Sequence, residues 1–361
     1  LLGYNAERIA LLKPSALGDI IHSLPVLTAL RRRYPHARIT WVVNQVYAPL
    51  LDGHRDLDDV LPFDRRASHR GWRAAAHSWL DFLRELRRRR FDLVIDLQGL
   101  FRTAVMMAAS GAKRRVGLST AREGATWTYT DVVPVADFNA LHAVERCWRI
   151  AEAFGVGDTP KEFHIPIPDK ARCWAETTTR GYPRPWLMLG PGARWKTKRW
   201  PPEHFAALVR RAWDHFGGTV FFVGGEEETA AALAVRRRLS GPSCDLTGRT
   251  TLPQLAALLE CADVMLANDT GPLHLAAALG RPTVAPYTCT RVLLNGPYPL
   301  ASGAVETTVS CRGSYLKHCS RMQCMGELTP ERLWPSLAEV LRSWRNRAAC
   351  SREATLLEPQ R

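Results

Sequence analysis

The chain has 361 residues, more than one hydrophobic core normally serves, so two domains are expected. Hydrophobic residues make up 46% of it, enough for a real core, and no apolar run is long enough to span a bilayer as a helix. A formal charge of +14 favours an anionic partner: nucleic acid, a membrane surface, or a phosphorylated or acidic substrate. The start lacks the basic, apolar and small-residue regions of a signal peptide, and nine scattered cysteines argue against a secreted disulfide framework. A cytoplasmic protein is the expectation.

In chain order, RIALLK at 8–13 reads as a buried strand, a continuous apolar run of the parallel-sheet kind. A helix is predicted over 21–33, strands over 39–43 and 60–63, a basic helix over 78–90, and a strand over 91–96. LQGLFRTAVMMAAS then gives a turn and a helix, and 113–118 another strand. A Pro-, Asp- and Lys-rich stretch at 165–170, a Thr-rich helix and GYPRP at 181–185 form the linker candidate. The pattern restarts with strands at 186–190 and 219–224 and helices at 202–215 and 226–239. TLPQLAALLECADVMLAND supplies a helix and a strand, GPLHLAAALG a short helix, and RPTVAPY a last strand. Strands alternating with helices predict two α/β units with parallel sheets, with a ligand beyond the strand C-termini.

Three junctions carry chemistry. In KPSALGD (13–19), Gly18 frees the backbone to approach a ligand, and Lys13 at the strand end could meet a negative substrate. Asp19 reads two ways: as a first-turn acid favoured by the helix dipole, or as a base taking a proton from an incoming hydroxyl. The Walker spacing and GxGxxG are both absent. In PGARWKTKRWPPEHF (191–205), Lys196, Lys198 and Arg199 stand ahead of a Pro-started helix, which reads as a phosphate site or as a basic solvated loop. In NDTGPLHLAAALGRPTV (268–284), Asp269, Thr270 and Gly271 follow a strand and open a helix whose N–H groups suit a diphosphate. Asp269 also reads as a turn residue, and His274 as a packing or capping one.

Taken together, KPSALGDIIHSLPVLTALRRRYP, DLQGLFRTAV, GLSTAREG, LHAVERCW, KRWPPEHF and NDTGPLHLAAALGRPTV resemble, in this order, the ADP-heptose:lipopolysaccharide heptosyltransferases. The resemblance covers about residues 8–334 and implies a GT-B fold, two Rossmann-like α/β domains facing across a cleft. Residues 1–180 would bind the acceptor, 181–345 the sugar-nucleotide donor, and 346–361 would form a tail. The implied reaction is inverting transfer of heptose from ADP-heptose to an anionic inner-core sugar, 3-deoxy-octulosonate (Kdo) or heptose. The implied roles are Asp19 as general base, Lys198 (with Lys196 beside it) on donor phosphate, Asp269 near the heptose hydroxyls, and Thr270 and Gly271 at the diphosphate, with His274 adjoining. Arg65, Arg66 and Arg122 would hold the acceptor together with Lys13 and Gly18. A base-binding carboxylate is implied within FVGGEEETAAALAV, where Glu226 is carried as the candidate and Glu227 and Glu228 remain open. The resemblance implies no metal or other cofactor. The basic surface would then rest on acidic lipid at the inner face of the cell membrane, where the acceptor lipid sits.

GLSTAREG and LHAVERCW look most like the enzyme that adds the first heptose, whereas CMGELTPE looks like the second-heptose type. Cys311, Cys319 and Cys324 have the spacing C-x7-C-x4-C, with Cys289 upstream, and read as free thiols, a structural zinc site or a disulfide. Two other enzyme readings stand: a GT-B transferase with another sugar nucleotide or acceptor, and a sugar-nucleotide epimerase, which would leave the acceptor arginines without a task. Nucleic-acid binding is not expected. RELRRRR at 84–90 lacks the interleaved aromatics of single-strand readers, and no helix-turn-helix or finger signature occurs.

Overall fold

The computed structural model describes residues 1–64, 71–299 and 303–357, with side chains through 349. Its contacts divide the chain into Leu1–Pro166 and Ile167–Arg361. In the first unit, strands β1 (Arg8–Leu12), β2 (Arg38–Asn44), β3 (Asp59–Phe63), β4 (Leu93–Asp96), β5 (Arg114–Leu118) and β6 (Asp131–Val133) form one parallel sheet. The spatial order is β3-β2-β1-β4-β5-β6. Helices α1 (Leu17–Arg33) and α4 (Ala143–Ala153) pack together, as do α2 (Trp72–Arg88) and α3 (Phe101–Ser110). Ala10, Leu12, Val42, Phe63 and Val94 meet Phe82, Leu86, Met106 and Met107 in one core layer. Ile9 and Leu11, alternate on β1, are also fully buried, which is why that strand reads as an unbroken apolar run.

The second unit repeats the topology. Strands β7 (Trp186–Gly190), β8 (Thr219–Phe222), β9 (Ser243–Asp245), β10 (Val264–Ala267), β11 (Thr283–Tyr287) and β12 (Ala304–Glu306) lie in the order β12-β11-β10-β7-β8-β9, again all parallel. Numbered within each unit, both sheets are 3-2-1-4-5-6, the Rossmann order. Helices α5 (Asp169–Thr179), α6 (Pro202–Phe216), α7 (Thr229–Arg236), α8 (Leu252–Cys261), α9 (Gly271–Ala278), α10 (Val292–Asn295), α11 (Gln323–Glu327) and α12 (Pro330–Leu357) complete it. Leu189, Phe222 and Leu266 from the sheet pack with Phe205 and Leu208 of α6 and Leu333 and Leu337 of α12. Local sequence sets the helix starts: Pro202 opens α6, and Thr251 and Gln254 cap α8 reciprocally (Thr251 N–H to Gln254 Oε1, 2.9 Å).

Three expectations need correction. The unit boundary falls at Pro166, not at 180, because α5 packs on α8 and Arg172 pairs with Glu260 at 2.9 Å. The expected tail from 346 continues α12 as far as Leu357. Helix α1 starts at Leu17 rather than 21, since the Asp19 carboxylate accepts the Ala16 N–H (3.0 Å) and closes its first turn.

Candidate functional site

In the first sheet the strand order reverses between β1 and β4, whose last residues, Leu12 and Asp96, are register partners. A crevice outside the carboxyl ends is expected at such a point, and two of the quoted motifs begin there. Lys13 lies one residue beyond the strand and is buried. Its ammonium donates to the Leu97 carbonyl at 2.6 Å, so it ties the 13–19 loop to the 97–100 loop. Gln98 Oε1 accepts the Ser15 N–H (3.4 Å), and Gly99 O accepts the Arg122 N–H (2.8 Å). The start of α1, carrying Asp19, and the loops carrying Gln98 and Arg122 are thereby linked at one sheet edge.

Asp96 organises this edge. Fully buried, its carboxylate accepts from the Gln98 N–H (2.8 Å), the Gly99 N–H (2.9 Å), the Thr103 hydroxyl (2.7 Å) and the Tyr129 hydroxyl (2.9 Å). Burial raises its pKa, and these four donors pull in the opposite direction. Gly99 adopts φ +65°, and a side chain there would strike Ala121, so the loops can approach this closely only at a glycine. Asp19 and Arg122 are both exposed. Glu123 accepts the Phe101 N–H (3.1 Å) and Asp131 pairs with Arg114 (3.2 Å). Among the described residues neither acid forms an ion pair with the Arg122 guanidinium.

The second sheet reverses between β7 and β10, where Gly190 and Ala267 are register partners. Asn268, fully buried, donates to Pro191 O (2.8 Å) and Gly192 O (3.3 Å) and accepts the Trp200 N–H (3.1 Å), which fixes the lysine-bearing loop. Asp269 is 5% exposed. Its Oδ2 accepts from Lys198 Nζ (2.5 Å) and Thr290 Oγ1 (2.7 Å), and its Oδ1 lies 3.1 Å from His274 Nε2 and 3.4 Å from the Tyr287 hydroxyl. Burial by itself would raise the Asp269 pKa. The Lys198 charge and the His274 contact outweigh it and hold the carboxyl well below the usual range. The Tyr287 pKa is raised by burial and by the Asp269 charge, so its hydroxyl remains a donor. Thr270 is the N-cap of α9 and Gly271 its first residue, which places a helix N-terminus directly after this cluster.

Lys196 is exposed beside Lys198. Of the three glutamates, Glu226 and Glu227 are exposed, whereas Glu228 leans on Gly192 and Gly224, where a Cβ would lie within 2.6 Å of it. Burial raises the Glu228 pKa.

A model of glycosyltransferase family 9 (heptosyltransferase) matches residues 79–326. Lipopolysaccharide heptosyltransferase 1 of Pseudomonas aeruginosa is 31% identical over 326 residues, 87% of each chain. The chain belongs to glycosyltransferase family 9, the heptosyltransferases. Among solved structures, a family 9 glycosyl transferase from Veillonella parvula superposes with TM-score 0.82 at 23% identity, covering 93% of this chain and 98% of that one. The Escherichia coli heptosyltransferase WaaC with ADP gives 0.69 at 24% identity, covering 92% and 99%. These likenesses give the GT-B fold, two Rossmann-like α/β domains, and the topology above agrees with it.

Against the expected site of a family 9 chain, the structure brings Lys198, Asp269 and His274 into one cluster beside Thr270 and Gly271, and Lys13, Gly18, Asp19 and Arg122 onto one sheet edge. Arg65 and Arg66 lie outside the described residues. Asp96, Asn268, Tyr287 and Thr290 were not singled out from the sequence. The available signal was a polar residue closing an apolar strand, as in LVID and VMLAN. The four late cysteines are free thiols: Cys289 buried, Cys311 and Cys319 exposed, Cys324 half-buried. Among the described residues no three or more His, Cys, Asp or Glu are placed to hold a metal.

Proposed function

We propose that this family 9 chain is an inverting transferase that moves heptose from ADP-heptose to an anionic inner-core sugar of lipopolysaccharide, Kdo or heptose. The observation that carries it is the Asp269–Lys198 cluster, set where the second sheet reverses and ahead of the α9 N-terminus. That is a position for a sugar diphosphate. The Escherichia coli heptosyltransferase WaaC, solved with ADP, and lipopolysaccharide heptosyltransferase 1 of Pseudomonas aeruginosa support the same donor and acceptor class.

In this reading Asp19 takes the proton of the acceptor hydroxyl. The acceptor oxygen attacks the anomeric carbon from the face opposite the diphosphate, the bond from that carbon to the phosphate oxygen breaks, and ADP leaves with inversion. One Asp19 oxygen accepts the Ala16 N–H, which orients the carboxylate. Lys198, Lys196 and the first N–H groups of α9 offset the charge on the departing diphosphate. Both oxygens of Asp269 are already engaged, so its task is to hold Lys198 rather than to bind heptose hydroxyls. Arg122 offers a two-pronged donor to the Kdo carboxylate. Glu228 is the better placed of the three glutamates for the nucleoside, since it packs on the loop that carries Gly192.

The test pairs binding with transfer. ADP is expected to bind at least tenfold tighter than UDP or GDP, and ADP-heptose to be consumed only when an inner-core acceptor ending in Kdo or heptose is present. Equal binding of all three nucleotides, or ADP-heptose turnover without an acceptor, would overturn the reading.

A further inference from the structure

Helix α3 and the turn Ala125–Thr128 pack on each other, and together they leave two large side chains in solvent: Phe101 at 64% exposure and Trp127 at 92%. Single exposed apolar residues are ordinary on a soluble surface. This pair is different because of what adjoins it. Phe101 opens α3 immediately after the 97–100 loop, and its N–H is held by Glu123, the neighbour of Arg122. The Arg122 N–H is bonded to Gly99, and the Trp127 N–H to Gly124 O at 3.2 Å. The strip Phe101, Arg102, Arg122, Trp127 therefore starts at the acceptor edge of the first sheet and runs onto its helix layer. It joins an apolar ring and an amphipathic indole to guanidinium groups. Between residues 101 and 128 the only acid is Glu123.

We infer that this strip docks on an anionic phospholipid surface, with Trp127 and Phe101 seated at headgroup level. The indole has an apolar body and a polar N–H that suit the water–lipid interface, and nearby arginines are attracted to acidic headgroups. No helix among the described residues is long and apolar enough to cross a membrane, so a bilayer contact by these would be peripheral. Among the described residues the basic end of α2 lacks such exposed rings beside its arginines. At the C-terminal end of α2, Arg84 pairs with Asp81 (2.7 Å), Arg88 with Glu85 (2.7 Å) and Arg89 with both Glu85 and Asp59, so those charges are largely offset within the protein. The inference rests on the glycolipid-acceptor reading for its purpose: the strip would hold the acceptor edge at the surface where a lipid-anchored sugar is presented.

The experiment is co-sedimentation of the full chain with vesicles of phosphatidylcholine alone or with 30 mol% phosphatidylglycerol (~30%, enough to give a strong negative surface potential). It is run on wild type, Trp127→Ala, Phe101→Ala, the double variant, and Trp72→Ala/Leu80→Ala on α2. Wild type is expected to bind the anionic vesicles and lose them at high salt. The double variant should bind at least tenfold more weakly, and the α2 variant as wild type does. Transfer is read in parallel on a vesicle-embedded acceptor and on its deacylated, water-soluble form. The double variant should lose most of the first and keep the second. Wild-type binding by the double variant, or loss of binding in the α2 variant instead, overturns the inference. Vesicle binding is read without any sugar, so failure of wild type to use the soluble acceptor would refute the acceptor reading alone.

Discussion

Replacing Lys198 by Met removes the charge opposite Asp269 and keeps the length of the side chain. Asp269 is 5% exposed and the Lys198 side chain 18% exposed, so solvent screens the pair little. Breaking a buried pair by deleting one partner costs about 3–5 kcal/mol. Thr290, His274 and Tyr287 remain on the carboxylate, which places the expected loss near the lower end, about 3 kcal/mol. For a unit of this size that is a drop of roughly 6–12 °C in Tm. The pH dependence follows from the same pair. The folded pKa of Asp269 is depressed, so its stabilising contribution is complete above the unfolded carboxylate value, about 3.9, and disappears only as pH falls through the folded value. Without Lys198 the raising effect of burial gains ground, and acid destabilisation begins at higher pH. The assay is urea unfolding followed by tryptophan fluorescence at several pH values, on Lys198→Met, Asp269→Asn and the double variant. The double variant should recover much of the loss, since it leaves no uncompensated charge. A Lys198→Met chain within 1 kcal/mol of wild type (less than ~5-fold in the unfolding constant), with an unchanged acid limb, would refute the assignment of Asp269 as a buried anion held by Lys198.

Four further expectations follow. Asp19→Asn keeps an oxygen for the Ala16 N–H, so Tm should hold while kcat falls about 10²–10⁴-fold; near-normal transfer would leave Asp19 as a helix cap only. Arg122→Ala should lower kcat/KM for the acceptor at least ~10-fold, about 1.4 kcal/mol, with Tm and ADP binding unchanged, and Arg122→Lys should restore only part; unchanged acceptor kinetics would remove Arg122 from the site. Transfer should survive EDTA, and a loss restored by magnesium or manganese would contradict a metal-free reaction. His54 is buried edge-on to His164 at 4.9 Å, and its Nδ1 accepts the Asp56 N–H. Burial, with His164 beside it, lowers its pKa from 6.5 to about 4, against the opposing charge of Asp56. The unfolded chain therefore takes up this proton first, and stability should fall by about 3 kcal/mol as pH drops from 6.5 to 4. His54→Phe should flatten that limb in a pH series of urea melts.

The sequence alone determined the α/β class, the two-unit plan, and most of the strands buried on both faces, because a strand such as RIALL must be apolar throughout when both sides are covered. It also determined the position of Asp19, Lys198 and Asp269 at strand-to-helix junctions, since glycine, proline and capping residues mark those turns locally. The strands it did not reveal are β6, β9 and β12. Each has three residues and lies at a sheet edge, too short for a periodic signal and stabilised chiefly by the neighbouring strand. Only the tertiary structure decided what the polar residues touch. Asp96 gathers donors from as far as Tyr129, and Asp269 meets Lys198 across 71 residues and Thr290 across 21. These partners arrive through parallel pairing of strands distant in the chain, and no local pattern in the sequence records which loops that pairing places side by side.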